Sequence, residues 1–332
     1  MATRKPQLDK SETIAELPAA CASEAAAVAF LERKRWGDTP CCPKCGSVDV
    51  YAMTNRETGG RNARFLWRCR DCNGQYTVRT GTVYEESLIP LHKWLRAVWE
   101  AASAKNGVSA LEMSRKLEIS YKSALFLMHR IRHAMSDNPT DPPKLSGKVE
   151  CDETYVGGKP RHRPARLGDR RKPSNKRGRG TKKTPVFAVV QRGGDVRARV
   201  IPNVTAATLK AALVANVEQG TTIYTDDLRA YRKVCKGPGT HKVVRHSYGE
   251  YVKHGDPDTH TNTIEGYFSR VKRGLNGTYH AVSKEHLPRY LDQFCFLYNT
   301  RGLNDGERLE ALLKRADGKR LMYREPVKRR RA

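Results

Sequence analysis

Hydrophobic residues recur at helical spacing through the middle of the chain. One predicted helical face carries Leu91, Leu95 and Val98, and a second carries Ala124, Leu127, Met128 and Ile131. The first helix is expected to stop at Asn106-Gly107, after which Ser109 caps a short helix and Ser120 begins a longer one. Two helices joined by so short a turn predict a helix-turn-helix layout, with a plain helical bundle as the alternative.

Alternating apolar and polar positions predict strands in the C-terminal half. "KVECDETYVGG" is expected to form a strand, and "PVFAVVQRGGDVRARVIP" a hairpin that turns at Gly193-Gly194. Thr205 is expected to cap a helix, and "TTIYTDD" and "KVVRHS" to form further strands before helices near residues 262–275 and 283–299. This order of elements predicts an α/β domain with a mixed sheet and helices on both faces.

Four of the nine cysteines form two close pairs, Cys42 with Cys45 in "CPKCG" and Cys69 with Cys72 in "CRDC". Two turns of this kind present four thiolates tetrahedrally to Zn2+, so a structural zinc is expected. Alternation around the second pair predicts a β-hairpin and hence a zinc ribbon. Cys41 is an alternative ligand, although only Cys42 has the two-residue spacing to Cys45. A site filled by four protein ligands is closed, which argues against a catalytic role for this metal.

The chain is strongly basic. It has 62 Lys and Arg against 35 Asp and Glu, a formal net charge of +27 over 332 residues. This excess favours a polyanionic partner, nucleic acid before an anionic membrane, because each neutralised phosphate releases counterions. No apolar run approaches the roughly 20 residues that span a bilayer, and the alanine-rich "AACASEAAAVAF" is interrupted by Glu24, unlike a secretion signal. A cytoplasmic, nucleoid-associated protein is therefore expected.

Two aspartates are expected at strand ends of the mixed sheet. Asp152 lies in or at the end of the first strand, and Asp226 directly follows "TTIYT". Carboxylates on neighbouring strand ends can converge on Mg2+ or Mn2+, which prefer oxygen ligands, although such residues often only cap turns. Glu153 and Asp227 adjoin the two positions, and strand alternation lets only one of Asp152 and Glu153 face a site.

A single glutamate, Glu265, stands in "HTNTIEGYFSRVKRG" among basic, polar and apolar residues. At 100° per residue the apolar positions of this predicted helix share one face. Asn262 and Glu265, three residues apart, can point together at one site beside that face. A surface ion pair with a basic neighbour such as Lys272 is the alternative role for Glu265.

Taken together, these motifs resemble one family. "VECDETYVGGK", "IYTDDLRAY" and "HTNTIEGYFSRVKRGLNGTYH", behind the ribbon "RWGDTPCCPKCGS", resemble the zinc-ribbon group of bacterial insertion-sequence transposases with a DDE-type, ribonuclease-H-like domain. The likeness extends over residues 31–299. It implies that Asp152 and Asp226 are the first two catalytic carboxylates, and that Glu265 or Asn262 supplies the third position.

The resemblance implies a DNA transposase. Such an enzyme binds the terminal inverted repeats of its element and catalyses strand cleavage and strand transfer into target DNA, with Asp152, Asp226 and Glu265 holding catalytic Mg2+ (or Mn2+). Joining two DNA ends in one event implies a homodimer or larger assembly. The alternative is a zinc-ribbon DNA-binding regulator or an inactive transposase relic, and a nuclease that cuts without strand transfer is a third hypothesis.

A multidomain α/β organisation is expected. Its predicted parts are a helical leader (1–38), a zinc ribbon (39–84), a helix-turn-helix-like helical domain (85–138), a ribonuclease-H-like catalytic domain (146–300) with a basic flexible insertion (157–184), and a basic tail (301–332). The residues expected to contact DNA are Tyr121, Lys122 and His129 in the helical domain, Arg170, Arg171, Lys172, Lys176, Arg177 and Arg179 in the insertion, and Lys272 and Arg273 beside Glu265.

Overall fold

A computed structural model of the chain describes residues 11–137, 143–157, 183–235 and 240–323. The chain divides into two compact units, Met1–Ser136 with Thr300–Ala332, and Asp137–Asn299. The insertion expected at 157–184 lies almost wholly outside the described residues, and so do the six arginines and lysines predicted there to contact DNA.

The first unit contains the cysteine pairs and the predicted helix-turn-helix. It opens with two helices, α1 (Glu12–Ala20) and α2 (Glu24–Trp36). An antiparallel three-stranded sheet follows, formed by β1 (Val50–Ala52), β2 (Trp67–Cys69) and β3 (Gln75–Tyr76). The next helices are α3 (Leu91–Ser103), α4 (Ala110–Leu117) and α5 (Tyr121–Met135). The hairpin around the second cysteine pair therefore forms as its alternation predicts.

Side-chain caps start α4 and α5 at the predicted residues. Ser109 Oγ accepts a hydrogen bond from the Glu112 amide at 3.1 Å, and Ser120 Oγ accepts one from the Ser123 amide at 3.2 Å. Between the helices, Glu118 has a left-handed backbone with φ of 52°, which ends α4 and turns the chain toward α5.

The last predicted segment needs a correction. The stretch 301–332, expected to be a basic tail, contains the helix α10 (Asp305–Arg315). A capping box begins it, in which Asn304 Oδ1 accepts from the Glu307 amide at 2.8 Å and Glu307 Oε2 accepts from the Asn304 amide at 3.0 Å. Leu309 and Leu312 are buried. Leucines at helical spacing therefore make this part of the segment a packed helix despite its basic composition.

The second unit is built on a five-stranded mixed sheet. Its strands are β4 (Lys148–Val156), β5 (Thr184–Gln191), β6 (Val196–Val200), β7 (Thr222–Thr225) and β8 (His241–Val243), in the spatial order β6-β5-β4-β7-β8. β4, β5 and β6 pair antiparallel, whereas β7 pairs parallel with β4, and β8 with β7. This is the ribonuclease-H-like arrangement that the resemblance implies.

Helices cover both faces of this sheet. They are α6 (Ala206–Asn216), α7 (Arg229–Val234), α8 (Asn262–Gly274) and α9 (Leu287–Asn299). On one face Leu209 of α6 packs in a core with Phe187, and on the other Phe268 of α8 packs in a core with Val186. Successive residues of β5 thus face opposite cores, as the pleat of a strand requires. No helix within the described ranges is long and apolar enough to cross a membrane.

Candidate functional site

The four paired cysteines of the ribbon meet at one point. Their Sγ atoms all lie within 4.8 Å of one another, with Cys42 3.7 Å from Cys72 and Cys45 3.6 Å from Cys69. Cys41 is outside this group, so the structure favours Cys42 as the first ligand, as the spacing indicates. Four free thiols this close are the donor set of a closed structural zinc site.

Local interactions affect the ionisation of the thiols and the packing of the strands around them. Among the four neighbouring thiols, a hydrogen bond from the Ser47 amide favours ionisation of Cys45, but burial and hydrogen bonds with the other three thiols outweigh it and raise the thiol pKa. At Cys42, burial opposes ionisation, but hydrogen bonds from the backbone of Lys44 and Cys45 outweigh it and lower the thiol pKa to about 7. A lowered pKa favours the thiolate, which is the form that binds zinc. The Trp36 ring meets those of Trp67 and Tyr76 edge-on, with centroids 5.8 and 5.9 Å away. These two aromatic residues of the ribbon therefore pack its small core.

In the second unit, Asp152 lies in β4, and Asp226 directly follows β7, the parallel strand next to it. In the register of β4 and β7, Glu150 is opposite Tyr224, so both aspartates lie two residues further toward the carboxyl ends. α8 packs against β4 and carries Glu265 in its first turn. The structure thus brings the three predicted carboxylates to the same region of the sheet.

The pKa of Asp152 is raised well above that of an ordinary carboxyl group. Burial is the largest cause, and the Glu153, Asp226 and Glu265 carboxylates add to it, whereas the Glu153 amide, donating at 2.7 Å, opposes the rise. Like charges around a buried carboxyl group favour its protonated form unless a cation compensates them. Oxygen donors of this kind fit Mg2+ or Mn2+.

The carboxylates are gathered more loosely than the thiols. Within the described ranges, only the four cysteines bring three or more candidate ligand atoms within 4.8 Å of one another. The oxygens of Asp152, Asp226 and Glu265 are therefore further apart than the ligands of one closed metal site.

Strand alternation separates Asp152 from Glu153. The Glu153 carboxylate accepts a hydrogen bond from the Tyr231 hydroxyl at 2.9 Å, and Tyr231 belongs to the core beneath α6 and α7. Asp227, the neighbour of Asp226, accepts a hydrogen bond from the Ser247 hydroxyl. Each of the two aspartates thus has an acidic neighbour that accepts a hydrogen bond from a hydroxyl group.

A cavity of about 710 Å3 opens beside Asp152 and α8. Part of its wall is a π-helical turn, Leu275–Tyr279, that continues α8. The lining combines carboxylates with cations and consists of Asp152, Glu153, Thr154, Glu265, Phe268, Ser269, Lys272, Arg273, Asn276 and Gly277. Such a mixture suits a phosphodiester, whose negative charge attracts the basic groups while the carboxylates can hold metal ions.

Two neighbours hold Glu265 in place. The Thr261 hydroxyl donates to Glu265 Oε1 at 3.0 Å, and His246 Nε2 lies 3.2 Å from the same oxygen. The basic side chain beside the Glu265 carboxylate is therefore His246, and among the described residues no ion pair joins Glu265 to Lys272. Asn262, by contrast, is exposed and is not among the residues that line the cavity. Glu265 lines the cavity, whereas Asn262, like Asp226, is not among the lining residues.

The residues predicted to contact DNA differ in their exposure to solvent. Lys272 and Arg273 are exposed and line the cavity beside Glu265. Tyr121 and Lys122 are exposed at the start of α5. His129, further along α5, is only 5% exposed, so the prediction that it is presented to a DNA groove is wrong. α5 is buried on almost all sides around this residue, and helical spacing alone could not reveal that.

The residues that support the site were not predicted from the sequence. Glu150 is fully buried, and Arg192 Nε donates to its Oε1 at 2.7 Å. The available signal was a charged residue that alternates with Asp152 in the apolar strand "VECDE". His246 and Thr261 offered no comparable signal, because their roles depend on folding next to Glu265.

Both units contain segments that match known protein families. A family model described as an ISXO2-like transposase domain matches residues 144–299, and one described as a transposase zinc-ribbon domain matches residues 22–75. Among solved structures, the Mos1 strand transfer complex aligns at 13% identity with a TM-score of 0.26, covering 65% of this chain and 76% of that one. A pre-cleavage Mos1 transpososome aligns at 12% identity with a TM-score of 0.25, covering 96% and 100%.

Two curated relatives carry transposon descriptions. An uncharacterized transposase-like protein of Haemophilus influenzae is 28% identical over 100 residues, which cover 30% of this chain and 77% of the relative. An uncharacterized protein in the transposable element ISH50 of Halobacterium salinarum is 32% identical over 278 residues, which cover 82% of this chain and 90% of the relative. On this coverage, and with both domain models matched in order, the chain belongs to the zinc-ribbon family of transposases with an ISXO2-like transposase domain.

Proposed function

We propose that this transposase is a DDE-type enzyme that binds the terminal inverted repeats of its element and catalyses Mg2+-dependent strand cleavage and strand transfer into target DNA. The observation that supports this most directly is the gathering of Asp152, in the middle of β4, Asp226, at the carboxyl end of β7, and Glu265, in the first turn of α8. The adjoining cavity, which Lys272 and Arg273 also line, offers a place for the phosphate that reacts.

Asp152, Asp226 and Glu265 are the residues that would hold Mg2+ or Mn2+. When bound, these ions activate the attacking oxygen and stabilise the leaving oxygen of an in-line displacement. The protein's own part is placement: the parallel pairing of β4 and β7 sets the two aspartates, and Thr261 and His246 orient Glu265. No side-chain nucleophile is needed.

Cys151, next to Asp152, fits this scheme as a core residue. It is fully buried, and it packs with Val149 and Tyr231 on the face of the sheet opposite α8. Burial raises the pKa of its thiol well above the usual value, which disfavours the reactive thiolate.

DNA-end recognition is assigned to the first unit. The proposed recognition elements are its zinc ribbon and the α4–α5 pair, and this pair has the helix-turn-helix-like arrangement. Tyr121 and Lys122 are exposed at the start of α5. Zinc in the cysteine cluster would hold the ribbon strands together, because the chain itself fills all four positions. Because two ends must be joined together, the active form is proposed to be a homodimer or a larger assembly.

A strand-transfer assay tests the proposal. The protein is incubated with Mg2+, duplexes that carry the element ends, and a target plasmid, and joined products are counted. Asp152→Ala, Asp226→Ala and Glu265→Ala should each lower joining by more than about 100-fold, the upper limit for residues that only support metal ligands. All three should still bind end DNA. The matched control is Glu218→Gln, which neutralises an exposed carboxylate of the same unit and should leave joining unchanged.

The other outcomes separate the alternatives. Specific binding to the ends without cleavage would identify a regulator or an inactive relic. Nicking without joining would identify a nuclease. If Asn262→Ala abolished cleavage while Glu265→Ala did not, the third position would belong to Asn262.

A further inference from the structure

The N-terminus of α8 is not capped by the side chain at its own N-cap position. Thr261 occupies the N-cap position but makes no side-chain hydrogen bond to the helix amides. Its hydroxyl donates instead to Glu265 Oε1 at 3.0 Å. The free amides of a first helical turn need an acceptor, so another group has to supply it.

Glu150 of β4 supplies that acceptor. Its Oε2 accepts a hydrogen bond from the Ile264 amide at 2.9 Å, although the two residues are 114 positions apart in the chain. A carboxylate at this place also faces the positive end of the helix dipole. The glutamate therefore joins the strand that carries Asp152 to the helix that carries Glu265.

The spacing makes this link significant for the carboxylates. Asp152 follows Glu150 by two residues on the same face of β4, a distance along the strand of about 6.6 Å. Glu265 is the residue directly after Ile264. A shift of α8 along or away from β4 would consequently change the separation of Asp152 and Glu265.

A buried cation network fixes Glu150 in turn. Arg192 donates from Nε to Glu150 Oε1 at 2.7 Å, and from its terminal nitrogens to the backbone oxygens of Asp258 and His260, each at 2.8 Å. The guanidinium group lies 4.1 Å from the centroid of the Tyr224 ring. The segment that leads into α8 is thus tied to β4 and β7 through one arginine.

We infer that Glu150 is a positioning residue for the catalytic centre: it caps α8 from β4 and so sets the distance between Asp152 and Glu265. Arg192 holds Glu150 in the orientation that makes this possible. The inference rests on the proposed function, since it assigns Glu150 a role toward the metal that those carboxylates would hold. Glu150 itself is not among the residues that line the cavity described above.

The test uses the full-length protein and two readouts besides activity. The first is Mn2+ affinity measured by electron paramagnetic resonance, and the second is hydrogen exchange of the Ile264 amide without added metal. Glu150→Ala should weaken Mn2+ binding by about 10-fold, the lower limit for removing a residue that supports metal ligands. It should also speed exchange at Ile264. Cleavage in Glu150→Ala should need correspondingly more Mn2+, and the control Glu218→Gln should match the wild type in every readout.

A second variant guards against misfolding. Glu150→Ala leaves the Arg192 cation without its carboxylate, whereas Glu150→Leu with Arg192→Met removes both charges and keeps similar volumes. The double variant should fold and still show the weaker Mn2+ binding and faster Ile264 exchange. Wild-type values for both in a folded variant would overturn the inference, while the proposed function would stand.

Failure of the proposed function looks different. The wild type would then show no Mn2+ binding that depends on Asp152, which Asp152→Ala reveals. In that case the positioning role would be refuted together with the catalytic centre that it serves.

Discussion

Removing Lys272 and Arg273 should weaken DNA binding in a way that depends on salt. Both residues are exposed and line the cavity that Asp152 and Glu265 also line, so each can hold one phosphate of the reacting strand. Each phosphate contact contributes about 0.9 to the slope of log K against log salt on duplex DNA. The double variant Lys272→Ala/Arg273→Ala should therefore have a slope shallower by about 1.8, and each single variant by about half of that.

The same slopes give the expected change in affinity. A fourfold rise in salt, from 50 to 200 mM, costs about 3.5-fold in affinity for each contact and about 12-fold for two. The wild type should thus lose about 12 times more affinity over this range than the double variant loses. Fluorescence anisotropy of a labelled end duplex, titrated at four salt concentrations without Mg2+, measures both quantities and avoids cleavage.

Lys210→Ala is the matched control. Lys210 is an exposed lysine of α6, on the opposite face of the five-stranded sheet. Screening over about 10 Å at 0.1 M salt makes its influence on the cavity small. A slope that is unchanged in the double variant, or equally reduced in Lys210→Ala, would refute the assignment of Lys272 and Arg273 to phosphate contacts.

Three further outcomes are expected. The raised pKa of Asp152 means that the folded chain binds this proton more tightly than the unfolded chain, so stability without metal should fall as pH rises from the ordinary carboxyl pKa through the raised one. Asp152→Asn should therefore have a higher melting temperature than the wild type at pH 8, and the difference should close toward pH 4. An equal difference in melting temperature at both pH values would contradict this. Cys69→Ser should lose the zinc of the ribbon, measured as bound metal per chain with a colorimetric chelator, and wild-type zinc content would contradict the four-thiolate site. Asn304→Ala should lower the free energy of unfolding by about 1 kcal/mol in a urea titration, through loss of the α10 cap, whereas no change would mean that the cap is dispensable.

Local patterns predicted much of the fold from the sequence. Ser109, Ser120 and Thr205 cap the helices that their positions indicate, because an N-cap hydroxyl acts on amides only two or three residues away. The apolar spacing of α8 correctly predicted its buried face, and the cysteine spacing predicted the thiol cluster. These features depend on neighbours within a few residues, so the sequence contains them directly.

The remainder depended on contacts between distant residues. His129 was expected on an exposed face, yet Leu127 through Arg132 are all buried in α5. The Arg130 guanidinium lies 5.7 Å from the centroid of the Trp94 ring, and burial lowers its pKa to about 10. Polar residues can line a buried helix in this way when their long stems pack on aromatic rings, which no periodicity in the sequence reveals.

The cap of α8 illustrates the same limit at the candidate site. Thr261 occupies the N-cap position of α8, where a hydroxyl group commonly caps a helix. In the structure, Glu150 accepts the hydrogen bond from the helix amide of Ile264, and the Thr261 hydroxyl donates to Glu265 instead. The exchange could not be predicted, because it requires β4 to lie next to the first turn of α8.

Two acidic residues on one face of β4 show how this chain distinguishes a structural carboxylate from a candidate metal ligand. Glu150 is compensated by the protein itself, through the Arg192 cation and the Ile264 amide. The pKa of Asp152, two residues further on, is raised first by burial and then by the carboxylates of Glu153, Asp226 and Glu265. In a chain of net charge +27, a carboxyl group left among like charges is a candidate for binding a cation from outside. The contrast explains why the metal is expected at Asp152 and why Glu150, equally acidic and more deeply buried, is expected only to support it.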